Sequence, residues 1–185
     1  MTHLDIAAWE SFAVALAGAS AVLAGLVFVA VSINIDRILR VQGLPGRAGE
    51  SVILLIAAVC VCAFVLVAHQ PVTALAVELV VAGALTCVVL IAILLPALRR
   101  PSRQPRSWHA TRAISVVACT IPIVLAGFSL LGWLPGGLYW VVGGVLLSIV
   151  YATGNAWVLL VEVVRDERYR PSDGEIPPSN VERTS

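Results

Sequence analysis

Five long stretches of this chain are nearly free of charge, at about 8–34, 50–69, 72–95, 112–131 and 138–163. A helix rises about 1.5 Å per residue, so about twenty apolar residues cross about 30 Å of hydrocarbon. Hydrophobic residues make up 59% of the sequence and charged residues 12%, with a mean hydropathy of +0.96. A soluble domain of 185 residues could not keep so much apolar surface from water. The sequence therefore predicts an all-α integral membrane bundle of five transmembrane helices over residues 1–165. The remainder, 166–185, is polar and proline-rich (ending PSDGEIPPSNVERTS) and is expected to be a disordered tail.

The net charge of +1 conceals an ordered distribution. All twelve basic residues are arginines. Arg37, Arg40 and Arg47 follow the first span, whereas the turn His69-Gln70-Pro71 has none. Arg99, Arg100, Arg103, Arg106 and Arg112 follow the third span, and Gly132-Trp133-Leu134-Pro135-Gly136-Gly137 again has none. Arg165, Arg168, Arg170 and Arg183 lie in the tail. Arginine thus alternates with each crossing, and the positive-inside rule puts the N-terminus outside and the C-terminus in the cytoplasm. The start, Met1-Thr2-His3-Leu4-Asp5, lacks a positive n-region, so the first helix is expected to be retained.

That first span carries more pattern than the others. More than twenty uncharged residues separate Glu10 from Asp36, and Trp9 stands at one end as an interfacial anchor. Ser11, Gly18, Gly25 and Ser32 recur every seven residues, and Ala17, Ala21 and Gly25 every four. Stripes of small residues let helices approach closely where lipid provides no hydrophobic push. The expectation is a helix at the packing core, joined through this stripe within the bundle or to another copy in a homo-oligomer.

The segment LAGLVFVAVSINIDRIL followed by LPGRAGE resembles a family of small actinobacterial membrane proteins often described as modulators of the membrane protease FtsH. The resemblance covers the first two spans best and the rest by layout. It implies a regulatory membrane protein and brings no catalytic residues with it. Abundant Ala, Val and Gly without lysine agree with a GC-rich bacterial genome, hence a location in a bacterial plasma membrane.

Each span also has a thin polar or small seam. In the fifth it is Gly144, Ser148, Tyr151, Asn155 and Glu162; in the fourth Ser115, Cys119, Pro122, Ala126 and Ser129; in the second Ser51, Ala58, Cys62 and His69. Offsets of three, four and seven place such residues on one helix face. The seams either line the inside of a left-handed bundle or border an aqueous path. Pro122 is expected to kink its helix. Glu50 and Glu162 fall at cytoplasmic ends beside arginines, as interfacial ion pairs would, and Asn34 and Asn155 suit interhelical hydrogen bonds. The four cysteines (Cys60, Cys62, Cys87, Cys119) lie in apolar spans without a CxxC and read as core residues. No protease, hydrolase or nucleotide-binding motif occurs, and His3, His69 and His109 do not share a span. Neither an enzyme nor a metal or other cofactor is expected, and the arginine-rich loop suits anionic lipid better than nucleic acid.

Glu78 stands apart. It falls about 9 Å into the third span at about 1.5 Å per residue, on the side that has no arginine. A carboxylate there can be protonated, can pair with His69, can face an outer aqueous vestibule and bind cations, or can reach up to water. Two functions follow. One is a regulatory or scaffolding protein that binds another membrane complex through its seams. The other is an oligomeric proton or small-cation channel or carrier that uses Glu78 and His69.

Overall fold

The structure, a computed structural model, describes residues 7–40, 43–99 and 106–168. These residues form six α-helices: α1 (Ala7–Ile33), α2 (Ile35–Arg40), α3 (Leu44–Val65), α4 (Val72–Arg99), α5 (Arg106–Leu130) and α6 (Tyr139–Arg168). All but α2 are long and apolar enough to cross a membrane, which makes five candidate spans. Helices suit this medium because each backbone N–H finds its carbonyl inside the same segment.

The bounds depart most from expectation in α3, which runs from Leu44 to Val65 rather than from 50 to 69. By composition LPGRAGE reads as a loop, yet it is about the first two turns of the helix. Gly43 precedes it at φ 93, and Pro45 falls in the first turn, where a missing N–H costs no hydrogen bond. At the other end Leu66 closes the helix by donating to the carbonyls of Cys62 and Ala63. His69, at φ 57, has therefore left the helix, so it does not extend the seam of Ser51, Ala58 and Cys62. Similarly α5 begins at Arg106, before the expected 112, and continues through Pro122 without a break. Helix α6 runs on to Arg168, and the tail from 169 lies outside the described residues.

Helices α3, α4, α5 and α6 form an antiparallel ring in which each packs on the next and α6 closes on α3. Helix α1 sits outside that ring, against α3 with a minor contact to α6. It is the periphery, contrary to the packing core expected from its small residues. Only 11% of its most apolar stretch is buried in the protein, against 50% for α3. Its inward face is Ala13, Ser20 and Val27, one buried residue every seven, flanked by Leu16, Ala17, Leu23 and Ala24. At Asn34 the helix breaks: the Asn34 carbonyl accepts from the N–H groups of Arg37 and Ile38 and so starts α2. The Asn34 amide donates within its own helix to the Ala30 carbonyl (2.9 Å), not across helices as expected. Ile38 then buries itself against Leu44, Ala48 and Leu159.

Glycines set how closely the ring packs. A Cβ at Gly127 would stand 2.6 Å from the Ala76 carbonyl oxygen and 2.5 Å from Val80, and one at Gly83 would stand 2.7 Å from Val124. Helices α4 and α5 thus meet backbone to backbone, each supplying one glycine. Gly144 does the same between α6 and α5, where a Cβ would lie 2.6 Å from Ile123. The outward surface is apolar: Val77, Val81, Leu85 and Val88 on α4 recur every three or four residues and are all exposed. Such a stripe suits lipid rather than water.

Candidate functional site

A cluster of charged and polar side chains lies inside the ring, toward the end that bears the arginine-rich connections. Arg47, Glu50 and Ser51 share one face of α3 at offsets of three and four. All three are buried, Glu50 with 0% of its surface exposed. Arg112 enters from α5, buried at 4%, and its Nη2 donates to Glu50 Oε1 in an ion pair. Gly46 lies beside this pair, where a Cβ would be 3.4 Å from Arg112 Nη2. From α6, Asn155 is buried one turn beyond Tyr151, whose hydroxyl lies within electrostatic reach of Glu50, Arg112 and Arg47.

The cluster is rich in donors. Arg112 faces the Glu50 carboxylate, and Arg47 is buried one turn before Glu50 on α3. Among the described residues, Arg112 Nε and Glu50 Oε2 are buried without a hydrogen-bond partner. Charges held within a membrane protein are paired because an isolated one is costly there. The Glu50–Arg112 pair joins α3 to α5 across the ring. Glu50 was expected as an interfacial residue at a helix end; the earlier start of α3 places it inside the bundle instead. The side chain of Glu162 falls outside the described residues.

The remaining seams face inward, but their hydroxyls are engaged locally. Ser148 donates to Gly144 (2.8 Å), Thr120 to Val116 (2.9 Å), Ser51 to Arg47 (3.0 Å) and Thr86 to Ala82 (2.7 Å), each to the carbonyl four residues back. This is how helices satisfy hydroxyls in an apolar interior. The arrangement favours packing over an aqueous path along α6. Cys62 and Cys119 are buried and all four cysteines are free.

Glu78 lies near the opposite end, where α4 begins. Its Oε2 accepts from Gln70 Nε2 at 2.6 Å. The partner is thus Gln70 rather than His69, because the turn places His69 in the exposed surface. Gln70 Oε1 is buried and has no donor among the described residues. Glu78 lines a groove of about 470 Å³ between α3 and α4.

The third feature is the small-residue stripe of α1. Ser11, Gly18, Gly25 and Ser32 all point away from the bundle. A Cβ at Gly18 or Gly25 would meet nothing within 4 Å. The stripe does not pack within the bundle, because the face that does is rotated onto Ala13, Ser20 and Val27.

No family model, curated protein or solved structure matches the chain. Among the described residues no three His, Cys, Asp or Glu side chains come together as a metal site would require. The buried cluster escapes a reading by spans, because Arg47 and Arg112 look like loop arginines until both helices are extended. The available signal is the i, i+3 spacing of Arg47 and Glu50 directly after Pro45.

Proposed function

We propose that this chain is a non-catalytic regulatory or scaffolding protein of a bacterial plasma membrane, and that it works by docking a transmembrane helix of another membrane protein on α1. One observation carries the reading. The helix that lies outside the ring turns its Gly18–Gly25 face into open space, while the ring is complete without it. Small residues are what a second helix needs for close approach in lipid. The partner class is a membrane protease of the FtsH type, which rests on the resemblance of the first two spans. The arginine-bearing end faces the cytoplasm and the N-terminus faces outward, a reading supported by the alternation of arginines.

The test is retention of the host's FtsH-type protease by the tagged chain in mild detergent. Gly25→Leu is expected to lower retention about tenfold, equivalent to about 1.4 kcal/mol. Its own folding should be unchanged, since nothing lies within 4 Å. Leu26→Ala should retain the protease. Equal retention by Gly25→Leu, or none by the wild type, would overturn the reading. So would a Gly25 crosslink to a second copy of the chain in place of a protease subunit.

A further inference from the structure

The groove between α3 and α4 has a chemical polarity that neither the docking helix nor the buried ion pair explains. Ile53, Ala57, Cys60 and Phe64 from α3 face Val81 and Leu85 from α4 across it. Among its lining residues Glu78 is the carboxylate, set near the turn end. Its volume, about 470 Å³, is in the range of about 300–1,000 Å³ typical of small-molecule sites.

The polar groups at that end are acceptors. The Gln70 amide N–H donates to Glu78 Oε2, and among the described residues Gln70 Oε1 is buried without a donor. The arginines of the described helices lie toward the opposite end, and the chain has no lysine. His69 is the neighbouring titratable side chain, and it is turned out into the exposed surface. The complementary ligand therefore has a cationic head with several N–H donors and a slender apolar body.

We propose that the α3–α4 groove binds an amphiphilic amine dissolved in the bilayer, its ammonium held by Glu78 and its chain lying along the groove toward Leu85. A long-chain primary amine satisfies both halves of the site. An aminophospholipid does not, because its phosphate stands between ammonium and chains and would come against the Glu78 carboxylate. Coulomb attraction at this partly buried depth is stronger than in water, so the charge of the head decides affinity.

The experiment uses the full chain in phosphatidylcholine nanodiscs and radiolabelled dodecylamine. Saturable binding is expected, competed by unlabelled dodecylamine and at least about tenfold less well by dodecanol. Glu78→Gln keeps the size of the side chain and should weaken binding by at least about tenfold. Val81→Trp, at a position already 57% exposed, fills the groove from the lipid side and should abolish binding. Circular dichroism of both variants checks that the helices persist. The proposal is overturned by non-saturable partitioning, by equal competition from dodecanol, or by unchanged binding in Glu78→Gln. It is also overturned if phosphatidylethanolamine in the nanodisc displaces the amine. None of these outcomes bears on the docking face of α1.

Discussion

Glu50→Gln is expected to destabilise the bundle by about 3–5 kcal/mol, the usual cost of removing one partner from a buried ion pair. The variant leaves Arg112 buried without its carboxylate partner. Removing the cation instead is expected to cost less, because in Arg112→Met the carboxylate still has Arg47 one turn away on the same helix face. The double replacement Glu50→Leu with Arg112→Met removes the charges that join α3 to α5, and should recover much of the single-variant loss. Reversible unfolding in mixed micelles, followed by circular dichroism, measures all three. A loss below about 1 kcal/mol for Glu50→Gln would mean that the cluster is hydrated and not a closed ion pair.

The second large effect is expected where α4 and α5 touch. Gly127→Ala adds a Cβ 2.6 Å from the Ala76 carbonyl oxygen, and backbone cannot swing aside as a flexible side chain can. Overpacking of this kind costs about 1–3 kcal/mol, and Gly127→Leu should prevent the two helices from closing. Gly25→Ala provides the contrast, because no atom lies within 4 Å of its Cβ position and stability should not change. Melting temperatures of the two alanine variants in one detergent decide the matter. Equal stability would show that α4 and α5 are further apart than described.

The existence and order of the spans were legible because length and apolarity alone decide whether a helix can cross a bilayer. Facing was not. On α1 the small residues Ser11, Gly18, Gly25 and Ser32 and the residues Ala13, Ser20 and Val27 both repeat every seven. Periodicity therefore offers two equal stripes, and only the neighbouring helices select between them. Of the glycines at close helix contacts, Gly83 and Gly127 occur singly within their spans and give no stripe to notice, whereas Gly144 belongs to the seam of the fifth span. At α3 the difficulty was local chemistry: Pro45, Gly46 and Gly49 lower helix propensity, yet tertiary packing against Ile93 and Arg112 offsets that loss. With the start of α3 misplaced, the buried pair of Glu50 and Arg112 looked interfacial. Glu78 was legible as an unpaired carboxylate, but its bond to Gln70 depended on a turn in which His69 adopts positive φ.

The claim on which everything else depends is that five helices cross a membrane with the arginine-bearing end in the cytoplasm. Labelling with a membrane-impermeant thiol reagent tests it directly, in a background with Cys60, Cys62, Cys87 and Cys119 replaced by alanine. Ala68→Cys lies in the exposed turn between α3 and α4, and Ser102→Cys lies between Arg100 and Arg103. In intact spheroplasts Ala68→Cys is expected to react and Ser102→Cys to stay unmodified until the membrane is permeabilised. Reaction of Ser102→Cys alone would invert the orientation, and reaction of both before permeabilisation would contradict the crossing itself.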